Sequence, residues 1–188
     1  MNVSNAKSFK RTSISDIVYI AMFTAIIAVC SQISIPLGVV PFTLQTLGVF
    51  IASAILGCKR GVICVFVYIV LGLVGVPVFA GFSGGIGTIV SPNFGYIVGF
   101  IFTALIVGLG TKFFGKKLIP LIISMILGLI VCYVFGTICF MTVYNINGNG
   151  INLGVALGYC VIPFIIPDIC KIIASAVLVN KLNKIIKL

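Results

Sequence analysis

The sequence predicts an all-α membrane protein, a compact bundle of six transmembrane helices with both termini in the cytoplasm. Of its 188 residues, 61% are hydrophobic and only 7% are charged, with a mean hydropathy of +1.36. A soluble domain of this size needs far more charged surface. Eleven of the twelve lysines and arginines lie at the ends of apolar segments, in alternate connections, which is the pattern of the positive-inside rule.

The first 13 residues are polar and basic, and we expect them to form a cytoplasmic tail ahead of one transmembrane domain, residues 14–188. A basic stretch before an apolar run is also typical of a signal peptide. The run from Ile17 to Ile35 is long for that purpose and no Ala-x-Ala cleavage pattern follows it, so a retained helix is favoured. Ser15 and Asp16 are suited to cap its N-terminus.

The first helix is predicted over residues 16–35. It contains Ala21 and Ala25, two small residues four positions apart, which allow another helix to approach closely. The spacing alone favours packing inside the bundle over contact with a partner protein.

The second and third helices are predicted over residues 42–57 and 61–76, joined by a short basic turn. The second is barely long enough to span a bilayer. Its polar side chains, among them Thr43, Gln45 and Thr46, should face protein or a cavity rather than lipid. Gln45 is as suited to bond a helix backbone as to bind a ligand.

Residues 80–95, between the third and fourth helices, are too rich in glycine for a plain helix. We expect a re-entrant or cavity-capping loop, because irregular backbone at membrane depth must be covered by protein or water. Ser83 lies in this loop, and Asn93 near its end is equally suited to cap the next helix. The loop has no Gly-x-x-x-x-Gly-Lys-Ser/Thr pattern, the signature of a phosphate-binding loop, and no lysine.

The last three helices are predicted over residues 94–113, 118–143 and 153–181. Tyr96 lies at the start of the fourth helix, where it could contact a ligand or anchor the chain at the membrane interface. Two prolines inside the sixth segment are expected to kink it.

Asp168 and Lys171, in the sixth segment, form the feature most suggestive of function. Asp168 is one of two acidic residues and the only one in apolar sequence. Lys171 follows three positions later, so a helix places both on one face. Ionisable groups near the bilayer centre cost about 2.5–3.5 kcal/mol on insertion scales. A ligand site is favoured, and an internal ion pair and a proton path remain open.

Phe42, Phe79 and Phe82 could supply the apolar walls of such a ligand site. No enzyme, catalytic residue or metal site is predicted, because histidine is absent and the chain has no ATP-binding motif and no zinc-ligand spacing. The seven cysteines form no Cys-x-x-Cys pair and are expected to be small buried hydrophobes. The net charge of +10 is interpreted as contact with the cytoplasmic membrane surface rather than with nucleic acid.

Five sequence blocks together resemble the BioY family, the biotin-specific substrate-binding S components of energy-coupling factor (ECF) transporters. The blocks are residues 41–50, 72–81, 83–87, 94–100 and 163–171, and the likeness runs from about residue 14 to 180. This resemblance implies a compact six-helix fold in a prokaryotic plasma membrane, with biotin bound near the extracellular side and covered by the glycine-rich loop.

The resemblance also implies partners and site residues. The partners are a transmembrane coupling subunit and two cytoplasmic ATPases, which use ATP while this chain binds no cofactor. Ala21 and Ala25 match the family's docking motif, which raises partner docking above internal packing. Asp168 and Lys171 match its acidic and basic pair. Gln45, Ser83 and Tyr96 lie in the matching blocks, and the residue pattern itself adds Phe79 and Asn93 as further substrate-binding candidates.

Biotin carries a carboxylate, a ureido ring with two N–H groups and a carbonyl, and an apolar thiophane ring. Our hypothesis is that Lys171 receives the carboxylate and Asp168 accepts a ureido N–H, and the reverse orientation stays open. An S component for another small vitamin, a stand-alone carrier and a non-transport membrane assembly subunit are the alternatives.

Overall fold

The computed structural model describes residues 13–36, 40–146, 148 and 150–185. Its helices are α1 (Ile14–Gln32), α2 (Gln45–Val74), α3 (Phe94–Phe114), α4 (Leu118–Ile146), α5 (Leu153–Cys160) and α6 (Ile165–Ile185). The shorter elements are strands β1 (Ser34–Ile35) and β2 (Phe42–Thr43) and 3-10 helices over Ala80–Phe82, Ile86–Val90 and Ile162–Phe164. The predicted tail, residues 1–13, lies outside the described residues except for Ser13.

Five helical segments are long and apolar enough to cross a bilayer: α1, α2, α3, α4 and the stretch 153–184 that contains α5 and α6. No more than 33% of the apolar window in each is buried inside the bundle. Most residues of these windows are therefore at least partly exposed at the surface of the bundle, as a lipid environment allows. The prediction of a helical membrane protein with several spanning segments is confirmed.

Helix α2 contains a reversal of chain direction at Gly57. This residue has φ 77° and ψ −178°, a conformation that is available to glycine almost alone. A Cβ atom built on Gly61 would lie 2.9 Å from the Cα of Ser53, although residues eight apart in a straight helix are about 12 Å apart. The Gln45 side chain also reaches the Tyr68 hydroxyl at 2.6 Å. The two halves of α2 therefore pack side by side.

The predicted cap of the first helix is wrong. Helix α1 begins at Ile14, with Ser13 at the N-cap position and no side-chain capping bond. Asp16 lies in the first turn and forms an ion pair with Arg60, its Oδ1 2.8 Å from a guanidinium nitrogen. This pair ties the start of α1 to the middle of α2.

Two predicted helix boundaries also differ from the structure. Residues 34–35 and 42–43 pair as antiparallel strands β1 and β2 rather than extending the flanking helices. The predicted sixth helix is broken rather than kinked, because Pro163 and Pro167 lack the backbone N–H that a continuous helix requires. A 3-10 turn at Ile162–Phe164 separates α5 from α6.

Helix α2 lies at the centre of the bundle and packs against α1, α3 and α6, while α4 packs against α3 and α6. The interior along these contacts is filled by apolar side chains, and small residues allow the backbones to approach closely. Among the fully buried side chains are Ile27, Phe50, Val65, Val107, Met125 and Val179. One end of the bundle differs from this apolar interior, because buried polar groups gather there around a cavity.

Candidate functional site

A cavity of about 160 Å³ lies among the start of α2, the loop over residues 79–93, the first turns of α3, the middle of α4 and the region where α5 meets α6. An apolar cavity of about 150 Å³ is enough to hold a benzene-sized guest, so this one has room for a small organic molecule. All seven predicted substrate-binding residues line it: Gln45, Phe79, Ser83, Asn93, Tyr96, Asp168 and Lys171. In the sequence these residues are spread over 127 positions, from 45 to 171.

Asp168 and Lys171 form a buried ion pair at the wall of this cavity. Both lie on α6, near its first turn, and they are 3% and 5% exposed. The Lys171 Nζ atom is 2.7 Å from Asp168 Oδ1. The internal ion pair and the cavity-facing site, which the sequence left as alternatives, therefore occur together in one arrangement.

The Lys171 ammonium has a partner for each of its three N–H donors. It donates to Asp168 Oδ1, to the Thr43 backbone carbonyl at 2.6 Å and to the Thr46 hydroxyl at 3.1 Å. Its Nζ also lies 4.2 Å from the centre of the Phe42 ring, a cation–π contact. The end of β2 and the first turn of α2 thus hold this cation in place.

The Asp168 carboxylate accepts three hydrogen bonds. Oδ1 accepts from Lys171 and from the Thr46 hydroxyl at 3.2 Å, and Oδ2 accepts a short bond from the Tyr133 hydroxyl on α4. An ionised carboxylate offers about four lone-pair sites, so about one stays open for a further donor. The pair is neutral as a whole, which limits the cost of burying it.

Gln45 belongs to a polar chain behind the cavity. Its amide nitrogen donates to the Tyr68 hydroxyl at 2.6 Å, and its amide oxygen accepts from the Thr43 hydroxyl at 3.0 Å. The Tyr68 hydroxyl donates in turn to the Val78 carbonyl at 3.0 Å. This chain connects the wall of the cavity to the segment that carries Phe79.

Phe79 is 2% exposed and packs its ring edge-to-face on Tyr68, with ring centres 5.5 Å apart. Only glycine at position 72 leaves room for this ring, because a Cβ there would lie 2.1 Å from Phe79 Cζ. From the end of α1, the Gln32 amide donates to the backbone carbonyls of Pro77 and Phe79, each at 3.2 Å, and accepts from the Phe82 N–H at 3.0 Å. The segment 77–82 is thus tied to α1.

Tyr96, Ser83 and Asn93 complete the predicted set. The Tyr96 hydroxyl lies 3.1 Å from the Thr137 hydroxyl, inside the bundle, so its ring is part of the cavity wall. The Ser83 hydroxyl donates to the Ala80 carbonyl in its own loop at 2.9 Å. Asn93 occupies the N-cap position of α3 but makes no side-chain capping bond, which corrects the capping alternative.

Sequence reasoning missed Tyr133 and Tyr68. A tyrosine in the middle of an apolar segment needs a partner for its hydroxyl once it is buried, and this signal could have identified both. The expectation for Phe82 is wrong, because this residue is 71% exposed and does not line the cavity. Its positive φ of 56° belongs to the sharp turn in which it lies.

Ala21 and Ala25 are both exposed on α1. The expectation from spacing alone, that they pack inside the bundle, is therefore wrong for the described part of the chain. They leave a strip of small residues on the outward face of the helix.

A sequence model of the BioY family matches residues 3–188. The chain belongs to the BioY family. A probable biotin transporter BioY from Pyrococcus horikoshii is 38% identical over 164 residues, 87% of this chain and 93% of that protein. A biotin transporter BioY from Thermotoga maritima is 38% identical over 166 residues, with the same shares of the two chains.

The BioY fold is also represented among solved structures. A crystal structure of the S component for biotin from an ECF-type ABC transporter superposes with a TM-score of 0.82 and 30% sequence identity, covering 90% of this chain and 91% of that one. Together with the five membrane-capable segments, these prokaryotic transporter relatives identify the chain as a multi-pass protein of a prokaryotic plasma membrane and as a transporter subunit rather than an enzyme.

Proposed function

We propose that this BioY protein is the high-affinity biotin-binding S component of an ECF transporter. The observation that supports this most directly is the buried Asp168–Lys171 pair at the wall of a cavity with room for a small organic molecule. Ionisable groups inside a membrane protein usually serve a ligand or an ion path. Largely apolar walls with a few convergent polar groups are typical of small-molecule sites, and here Ile97, Phe100, Leu129 and Phe164 supply apolar surface.

In the proposed complex, Asp168 accepts a ureido N–H of biotin and Lys171 binds its carboxylate. The two residues differ in the hydrogen-bonding capacity that each has left for a ligand. Asp168 has about one lone-pair site open, whereas all three Lys171 donors are used. A ligand carboxylate would have to take the place of one acceptor, and the Thr46 hydroxyl, at 3.1 Å, is the most distant of them. The reverse orientation would require Asp168 to face the carboxylate, which like charge opposes.

We also propose a membrane topology and partner proteins for this chain. The two halves of α2 count as separate spans, so the chain crosses the membrane six times and both termini lie in the cytoplasm. The glycine-rich loop covers biotin from the extracellular side. Ala21 and Ala25 dock a transmembrane coupling subunit, whose two cytoplasmic ATPases use ATP on behalf of a chain that binds no cofactor. The exposure of both alanines supports this role.

Isothermal titration of the purified protein with biotin tests the proposal, using Lys171→Met and the control Lys181→Met. Both variants remove one lysine charge from α6, but Lys181 is exposed near the helix end. Losing one partner of a buried charge contact costs about 2–5 kcal/mol, so we expect Lys171→Met to bind at least about 30-fold more weakly. Lys181→Met should bind normally.

Unchanged affinity of Lys171→Met would remove Lys171 from the site. Circular dichroism and gel filtration of both variants establish that the fold is kept. Mass spectrometry of the small molecule that copurifies with the detergent-solubilised protein separates biotin from another vitamin. Biotin uptake with and without the coupling subunit and ATPases separates an S component from a stand-alone carrier.

A further inference from the structure

A second cavity, of about 220 Å³, lies between α1 and α6 at the other end of the bundle. Both helices pack on α2 but make little contact with one another. We call the gap the α1–α6 groove and define it by Met22, Phe23, Ile55, Lys116, Val179 and Leu182. Leu182 lies eleven residues after Lys171 on α6, about 16 Å along the helix axis. The groove is thus separate from the biotin cavity.

The groove has apolar walls and opens to the outside of the bundle. Phe23 and Val179 form its buried floor, at 6% and 0% exposure, while Met22 at the rim is 46% exposed. In a membrane such an opening is covered by lipid or protein. A helix with its side chains is about 10–12 Å across and is too wide for a void of this volume. A hydrocarbon chain is narrow enough to enter.

Lys116 is the charged group of the groove, and two contacts fix its position. Its backbone carbonyl accepts from the Asn180 amide at 3.1 Å, which ties the turn between α3 and α4 to α6. Its Nζ donates to the Ile55 carbonyl at 3.2 Å. Ile55 lies two residues before Gly57, where the helix path breaks and the last carbonyls lack helical partners. This bond uses one of the three N–H donors of the ammonium.

Within the described ranges Lys116 has no acidic partner. The two ion pairs there are Arg60–Asp16 and Lys171–Asp168, so both acids are already paired with other cations. Burial lowers the pKa of Lys116 below its usual 10.5, because the charge is partly withdrawn from water. Other basic residues surround this end of the bundle: Lys59, Arg60, Lys112, Lys117, Lys181 and Lys184. A positively charged group over an apolar groove is complementary to a molecule with an anionic head and a hydrocarbon tail.

We propose that the α1–α6 groove binds an anionic phospholipid, with the lipid phosphate on Lys116 and the first part of an acyl chain along Met22, Phe23 and Val179. The site goes beyond the proposed transport function and does not depend on biotin. Clusters of basic residues attract anionic membranes in general. A specific site therefore has to be distinguished from that attraction.

Native mass spectrometry of the full-length protein in detergent, titrated with phosphatidylglycerol or with phosphatidylcholine of the same chains, makes this distinction. The test variant is Lys116→Gln and the matched control is Lys117→Gln, which makes the same charge change at an exposed neighbour outside the groove. We expect wild type to retain one phosphatidylglycerol in preference to phosphatidylcholine. Lys116→Gln should weaken this binding by about tenfold or more, as for loss of a charge-assisted hydrogen bond. Lys117→Gln should change it by less than about twofold, as expected for an exposed charge.

A second variant, Met22→Trp, fills the groove while Lys116 is kept, and it should also lose the bound lipid. Circular dichroism and gel filtration of all variants report on their fold independently of the groove and of biotin. Equal losses in Lys116→Gln and Lys117→Gln, equal retention of the two lipids, or a dimer in place of the lipid adduct would overturn the proposal. Displacement of phosphatidylglycerol by millimolar inorganic phosphate would also overturn it, because it would indicate a site for free phosphate.

Discussion

Replacing Asp168 by Asn, Lys171 by Met, and both together measures how strongly the two buried charges depend on one another. Asp168→Asn leaves Lys171 with the Thr43 carbonyl and the Thr46 hydroxyl but without a counter-charge. Lys171→Met leaves a buried carboxylate with hydroxyl donors alone. Leaving one member of a buried ion pair uncompensated costs about 3–5 kcal/mol of folding free energy.

The double variant buries neither charge, and neutral replacements of buried pairs are often close to neutral in stability. We therefore expect it to be destabilised less than either single variant. The corresponding coupling energy is about 3 kcal/mol or more, at the upper end of what contacting residues show. This magnitude follows from the low exposure of the pair and from the 2.7 Å distance between its charged atoms.

The free energy of unfolding is measured in mixed micelles of detergent and denaturant, followed by circular dichroism. Lys181→Met serves as the control, because a change at an exposed helix end usually stays within about 0.5 kcal/mol. If the costs of the two single changes simply add in the double variant, the charges do not depend on one another and the interpretation of the pair is wrong.

Two further predictions concern Gly57 and Gln32. Gly57→Ala should destabilise the protein by about 1–3 kcal/mol, because Gly57 has a conformation that is open to glycine almost alone. Thermal unfolding measures this loss. The control is Gly87→Ala, because a Cβ atom at position 87 meets no atom within 4 Å. Gln32→Ala removes the three hydrogen bonds between Gln32 and the segment 77–82 and leaves the bond from the Ser31 hydroxyl to the Val78 carbonyl. Because each hydrogen bond is worth about 0.5–1.5 kcal/mol, the variant should speed biotin dissociation, which is measured by stopped flow. Dissociation at the wild-type rate would show that this segment does not hold the ligand.

The sequence was sufficient to predict the membrane class, the approximate helical segments and the group of residues around the cavity. The length of each apolar segment and the positions of lysine and arginine depend on whether that segment lies in lipid or in water. Both signals can be read from a short stretch of sequence. Asp168 and Lys171 could be singled out because a charge in an apolar segment is costly wherever that segment folds.

The contacts of the site could not be predicted in the same way. Tyr133 meets Asp168 across 35 positions of sequence, and Thr43 meets Lys171 across 128. Such contacts depend on how α2, α4 and α6 are arranged, and periodicity within one helix does not specify that arrangement. The strand pairing of residues 34–35 with 42–43 was missed for a similar reason, because these short segments are extended only where they meet each other.

The mutual neutralisation of Asp168 and Lys171 has a consequence for the electric field of the membrane. A charge that moves across the full membrane potential gains or loses about 2.3 kcal/mol per 100 mV. The two charges sum to zero, so this pair would add no electrical work to any movement of the empty site across the bilayer. A ligand that carries a single carboxylate adds one negative charge, and only the loaded site would then respond to voltage.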